Sequence, residues 1–207
     1  MHQAEWNQIA ELVDFNLEVD LVRFCEEVPS EHNVLDFGCG YGRIGNLLRK
    51  SGYKNIVGID ASESMIERGK REFPELSLEL VTGAALPFSD QSFDAVIACA
   101  VFTCITDHKI RRSQFGEICR ILKPDGLLHM VEFCSDLSRF FTASIGVPML
   151  HSSIQEFRDL TSPLHIVSEE VIKTNTMNGD AANSYSVFAR KSLNKSSKKD
   201  ALKRASS

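Results

Sequence analysis

The run Val34-Leu35-Asp36-Phe37-Gly38-Cys39-Gly40-Tyr41-Gly42-Arg43 constrains this chain more than any other stretch. Apolar residues lead into three glycines at alternate positions, and a helical pattern follows. The pattern predicts a buried strand, a tight turn and a helix. Glycines so spaced let the backbone curl and come close to a ligand where a Cβ would collide. The helix that follows points its free amides at the same spot. Asp36 stands just before the turn. A carboxylate there disfavours a bare pyrophosphate and suits a ligand that carries positive charge.

The composition allows one globular domain around that turn. The chain has 207 residues, 43% of them apolar and 25% charged, which is enough for a full core. No apolar run approaches a membrane span. Residues 1–11 lack the apolar stretch of a signal peptide. Six cysteines (Cys25, Cys39, Cys99, Cys104, Cys119 and Cys134) are scattered without C-x-x-C pairs. That points to reduced thiols and a cytoplasmic setting, with no disulfide framework and no metal site. The net charge of −5 hides an asymmetry: from Arg190 onward seven Lys or Arg accompany a single acid, so residues 1–189 carry −11. An acidic body argues against a nucleic-acid platform. Residues 192–207, rich in Ser and Lys, are expected to be disordered.

Trp6, Ile9, Val13, Leu17, Leu21, Phe24 and Val28 recur at intervals of three and four. They predict a long N-terminal helix, in one piece or two, ended by Pro29. Strands are expected over 33–37, 55–59, 76–81, 92–99 and 127–133. Helices are expected over 42–50, over 62–73 with Ser62 as N-cap, and over 109–122. Lys123-Pro124-Asp125-Gly126 reads as a turn. Residues 134–151 read as irregular or partly helical, before a helix capped by Ser152 or Ser153. Strands over 164–173 and 184–191 should form an antiparallel pair. Alternating strands and helices mean an α/β fold, a doubly wound and mostly parallel seven-stranded sheet with an antiparallel last strand and an N-terminal helix. Ligands bind such sheets at the carboxyl ends of the strands, where the strand order reverses. The glycine turn, Asp60 and the Thr82–Ala84 loop all follow strands and converge there.

Asp60 ends the second strand, 20 residues after Gly40. A carboxylate at that place accepts hydrogen bonds from both ribose hydroxyls of an adenosine, or else caps the next helix. NAD and S-adenosylmethionine both contain adenosine. A dinucleotide fold wants G-x-G-x-x-G. Here the spacing is G-x-G-x-G with Arg43 next, and Asp36 is suited to a cationic amino group.

Four segments in this order resemble the class I S-adenosylmethionine-dependent methyltransferases, in the group with a methyltransferase 11-type domain. Residues 34–43 resemble the family's first motif, and Val57-Gly58-Ile59-Asp60-Ala61-Ser62 resembles its second-strand motif. Leu86-Pro87-Phe88-Ser89-Asp90-Gln91-Ser92-Phe93-Asp94-Ala95-Val96 resembles the LPF…SFD segment. Glu117-Ile118-Cys119-Arg120-Ile121-Leu122-Lys123-Pro124-Asp125-Gly126 resembles the E-x-x-R-x-L-K-P-G-G run. The resemblance covers most of residues 30–135. It implies a Rossmann-like methyltransferase fold with S-adenosyl-L-methionine as cofactor. It further implies that Asp36, Gly38, Gly40, Gly42 and Arg43 hold the methionine end. Asp60 would bind the ribose, with Ala61 and Met65 near the adenine. Gly83 and Ala84 would read the adenine edge through their amides, and Cys99 would line the sulfonium. Three positions depart from the family. Thr82 stands where an acid often contacts the adenine amino group, Thr103-Cys104 where many relatives carry a His pair, and Asp125 in place of a turn glycine.

Methyl transfer asks little of side chains, because the leaving group is a neutral thioether and alignment supplies much of the rate. A nucleophile with a bound proton needs a base. Glu132, Asp136 and His151 are the candidates at the carboxyl edge, each with an ordinary structural reading beside it. Phe133, Phe140, Phe141, Met149 and Leu150 make residues 134–160 apolar, which suggests a small, partly apolar acceptor and O- or N-methylation. The expected organisation is one domain over 1–191. It divides into a helical cap at 1–29, a cofactor-binding core at 30–135 and an acceptor-side segment at 136–191, with the basic tail at 192–207. Two alternatives stand beside this reading: a protein or RNA methyltransferase steered by the tail, and a non-catalytic S-adenosylmethionine-binding module.

Overall fold

The computed structural model describes residues 2–193. Five strands, β1 (Val34–Phe37), β2 (Ile56–Asp60), β3 (Ser77–Leu80), β4 (Phe93–Cys99) and β5 (Leu122–Cys134), alternate with helices α3 (Arg43–Lys50), α4 (Glu63–Glu72) and α5 (His108–Ile121). Helices α1 (Gln3–Ile9) and α2 (Leu21–Glu27) precede them. A hairpin of β6 (Arg139–Thr142) and β7 (Pro148–His151), helix α6 (Ile154–Thr161), and strands β8 (His165–Asn175) and β9 (Ala181–Arg190) follow. The main sheet has seven strands in the order β3-β2-β1-β4-β5-β9-β8. β9 runs antiparallel between β5 and β8, as expected of the last strand.

The two faces of the sheet follow the period of two along each strand. Leu35, Phe37, Val96 and Ala98 pack with Phe115 and Ile118 of α5 and Phe157 of α6. Val34, Ala95 and Ile97 face the other way, against Phe24 of α2 and Ile44 and Leu48 of α3. The strand order reverses between β1 and β4, so the glycine turn after β1 opens at the switch point, where ligands bind such sheets. Among the described residues no helix is long and apolar enough to cross a membrane.

The structure corrects three expectations. First, the N-terminal stripe is two short helices joined by a non-helical strap over residues 10–20. Val13 and Leu17 are still buried. Arg68 of α4 donates to the carbonyls of Ala10 and Val13, which replaces donors that a continuing helix would supply. Asp20 accepts from Arg23 N at 3.0 Å and restarts the helix as an N-cap. Second, residues 134–151 are not irregular. They contain the β6–β7 hairpin, with Phe141 opposite Met149, closed by Ala143 N donating to Val147 O at 2.9 Å. Third, the turn at 123–126 is a bulge inside β5, which pairs with β4 on both sides of it. Asp125 takes the left-handed conformation there, with φ 65°, a backbone that Asp tolerates. Ser62 and Ser153 cap α4 and α6 through their side chains, as expected. Most of the expected disordered tail, residues 194–207, lies outside the described residues.

Candidate active site

The glycine turn takes its shape from backbone that favours glycine. Gly38, Gly40 and Gly42 have φ of 70°, 53° and 91°. A Cβ on Gly38 would lie 2.5 Å from the Val101 side chain, and one on Gly40 would lie 2.6 Å from the ring of Phe15. Asp36 and Asp60 brace this turn before any ligand is considered. Asp36 Oδ2 accepts from Gly45 N of α3 at 3.0 Å. Asp60 Oδ2 accepts from Gly40 N at 2.9 Å and its Oδ1 from Ser62 N at 2.8 Å. Asp60 thus braces the turn through backbone amides and at the same time lines the cleft.

A cleft enclosing about 1290 Å³, part of it open to solvent, lies at the carboxyl ends of β1, β2 and β4. Asp36, Gly38, Gly40, Arg43, Asp60, Ala61, Met65, Gly83 and Cys99 line it together. Gly42 does not. It serves as the left-handed N-cap of α3. Thr82 and Ala84 also fall outside the lining. Thr82 is exposed, and the Ala84 carbonyl accepts from Gln114 Nε2 at 3.0 Å.

Charge in the cleft is concentrated at one end. Burial raises the Asp36 carboxyl to about 7, against the Gly45 amide and the Arg43 charge, which favour ionisation. Burial also raises Asp60. Arg43 donates through Nη2 to Leu17 O and reaches Cys99 Sγ at 3.9 Å. Its Nε is buried and has no partner among the described residues. Burial pushes the Cys99 thiol up to about 12 and raises Cys104 as well, so both stay protonated at neutral pH.

The three base candidates are not brought into the cleft. Glu132 is fully buried and spent on four donors. Its Oε1 accepts from Val101 N and Phe102 N, each at 2.9 Å, and its Oε2 from Thr103 N at 2.7 Å and Thr103 Oγ1 at 2.8 Å. It holds the short 3₁₀ turn after β4, which supplies Val101 and Thr103 to the cleft wall. Asp136 is exposed. His151 stacks on Phe133 at 5.3 Å and meets Phe141 edge-on at 4.8 Å, and burial lowers its pKa. Phe133 stands in the lining, and His151 packs behind it.

Sequence reasoning missed several wall residues. Phe15 and Asn16 come from the strap, which a helical reading had placed on a helix face. Phe15 stacks on Tyr41 at 5.4 Å, and Arg68 lies 3.9 Å over the same Tyr41 ring. Asn16 Nδ2 donates to the carbonyls of Asn175 and Thr176, each at 3.2 Å. That contact fastens the strap to the β8–β9 turn, whose Met177 lines the cleft. Gln114 lines it from α5. The E-x-x-R run contained the signal for this helix face: Gln114, Glu117 and Arg120 are spaced by three and all tie down the 84–90 loop. Leu86 N donates to Glu117 Oε2 at 2.7 Å, and Arg120 donates to Leu86 O at 3.1 Å and Phe88 O at 2.7 Å.

The donor set fits a ligand with an amino-acid end and an adenosine end. A half-buried guanidinium whose Nε has no partner among the described residues suits a carboxylate, and Asp36 in the same lining suits an ammonium. Asp60 offers carboxylate oxygens to hydroxyl donors, and Met65, Val81 and Leu86 offer apolar surface to a ring.

Residues 34–126 match the family model described as a methyltransferase domain. A demethylmenaquinone methyltransferase of Thermotoga maritima is 35% identical over 128 residues, covering 60% of this chain and 53% of that protein. The chain thus spans about half the length of that curated relative. A solved structure of a SAM-dependent methyltransferase from Methanosarcina mazei superposes with a TM-score of 0.78 at 22% identity, covering 86% of this chain and all of that one. The Burkholderia thailandensis 1,6-didemethyltoxoflavin-N1-methyltransferase, solved with bound 1,6-didemethyltoxoflavin and S-adenosylhomocysteine, gives a TM-score of 0.67 at 15% identity, covering 92% and 80% of the two chains. At these identities the two structures share the fold. Sheet order and glycine turn agree with that match, and residues 34–126 carry a methyltransferase domain.

Proposed function

We propose that this chain transfers a methyl group from S-adenosylmethionine to an oxygen or nitrogen of a small, partly apolar acceptor. The observation that carries this reading is the cleft at the β1–β4 switch. It has a carboxylate and a guanidinium with an unpartnered Nε at one end and an apolar cover of Phe15, Phe133, Met149 and Met177. The names of the Thermotoga and Burkholderia relatives also carry small-molecule acceptors. When bound, the cofactor supplies an electrophilic methyl group on a sulfonium.

The chain's own residues then bind, orient and exclude water. Arg43 and Asp36 hold the two charges of the amino-acid end. Asp60 receives the ribose hydroxyls on lone pairs that Gly40 and Ser62 leave free. The strap and hairpin hold an acceptor in line and dry, which supplies rate by positioning. Glu132 is withdrawn from the list of bases by its four donors. His151 and Asp136 stand off the lining, so no side chain of this wall is assigned as a general base. A cytoplasmic setting belongs to the same reading and rests on six cysteines without C-x-x-C pairs. The division into cap, core and acceptor-side segment belongs to the same reading.

Calorimetric titration with S-adenosylmethionine, S-adenosylhomocysteine and NAD tests the cofactor. The two adenosyl amino acids should bind and NAD should not. Tight NAD binding without response to the others would sink the reading. A screen of small phenols, amines and quinols with the labelled methyl donor then identifies the acceptor. Transfer to protein or RNA, with none to small molecules, rejects the acceptor class.

A further inference from the structure

We infer that Gln114 reads the 6-amino edge of the adenine ring in this chain, in place of Thr82. The inference rests on the cofactor reading above. Gln114 is 3% exposed and lines the cleft from α5. Its amide orientation is fixed by chemistry. Its contact at 3.0 Å is with the Ala84 carbonyl, which can only accept, so the atom that donates there is Nε2. Oε1 is the remaining polar atom, and no described residue donates to it. An amide oxygen with free lone pairs on a cleft-lining residue is open to a donor on a ligand.

Position and rigidity both suit an adenine. Ala84 follows Gly83, which lines the cleft beside Leu86 and Val81, at the end where Ala61 and Met65 stand. Glu117 and Arg120, on the same face of α5, clamp the loop from Leu86 to Asp90. Gln114 is thus held against a braced loop. Thr82 is exposed and outside the lining. An exocyclic amine donates a hydrogen bond, and Oε1 accepts one. A 6-oxo purine would oppose two acceptors at the same place, which no rotation of a fixed amide relieves.

The test compares S-adenosylhomocysteine with S-inosylhomocysteine by titration of the full chain. The unsubstituted protein should prefer the adenosyl ligand by about tenfold or more, the scale of one hydrogen bond plus one acceptor clash. In Gln114→Met the preference should collapse toward about one, because the side chain keeps its bulk and loses the carbonyl. A purely structural loss would weaken both ligands alike and leave the ratio unmoved, which overturns the assignment. A ratio that collapses in Thr82→Val and persists in Gln114→Met overturns it too. Equal affinity of the two ligands for the unsubstituted protein overturns it without any variant. Binding of neither ligand overturns the cofactor reading and Gln114's assignment with it.

Discussion

The sheet-side wall of the cleft is shaped by backbone: left-handed glycines at 38, 40 and 42, with carboxylates at 36 and 60 bonded to amides a few residues away or one strand over. The covering wall, made by residues 10–20 and the β6–β7 hairpin, is held by side chains that reach across the fold. Arg68 reaches Ala10, Val13 and Asp14, Arg43 reaches Leu17, and Asn16 reaches Asn175 and Thr176. The first wall forms with the core and should be rigid. The second is a set of latches on a non-helical segment and should open below the global unfolding free energy. On the proposed function, a methyl donor site needs the first property, and exchange of an enclosed acceptor needs the second.

The largest expected effect comes from breaking the first wall. Gly38→Val puts a branched side chain at φ 70° and into Val101. Backbone strain and overpacking together should cost about 3 kcal/mol or more, read by urea unfolding, and cofactor binding should be lost. Glu132→Gln comes next. With the amide oxygen kept on Val101 N and Phe102 N, its nitrogen turns toward Thr103 and leaves that backbone N–H unpaired, so stability should fall by about 1–3 kcal/mol. If Glu132 were a base instead, stability would hold and only the pH dependence of turnover would change.

Asp36 sharpens the comparison through pH. Its folded pKa, about 7, lies above the ordinary 3.8 because of burial. The folded protein therefore binds this proton more tightly than the unfolded chain does, and Asp36 favours folding least once pH has risen through about 7. An ammonium ligand needs the ionised carboxylate, so cofactor affinity should rise as pH passes from 6 to 8. Asp36→Asn should flatten that dependence and weaken binding at pH 8 by about tenfold. Titration at four pH values checks both slopes. The smallest global effect belongs to the second wall. Arg68→Met should lower overall stability by about 1 kcal/mol, because the strap can detach locally and hydrate the freed carbonyls of Ala10 and Val13. Amide exchange and proteolysis over residues 10–20 should nevertheless accelerate clearly while β1 and β4 stay protected. Equal acceleration across both walls would erase the distinction between them.

Most of the sheet was legible because its signals are local. Alternating apolar strands, helix caps at Ser62 and Ser153, and glycines where φ is positive act within a few residues of themselves. They determine a parallel α/β sheet, its glycine turn, and the convergence of Asp36 and Asp60 on one edge. What the tertiary structure alone decided depends on partners far along the chain. Val13 and Leu17 have helical spacing, yet Arg68, some 50 residues away, draws the strap out of a helix. Glu132 looks like a base until four donors from the turn after β4 consume it. Thr82 stands where the resemblance places an adenine contact, yet it is exposed and outside the cleft, while the buried Gln114 lines it. The glycine turn's shape follows from its own residues, because backbone sterics are local. The duty of a buried polar side chain does not, because it is set by whichever donor or acceptor the fold brings within 3 Å.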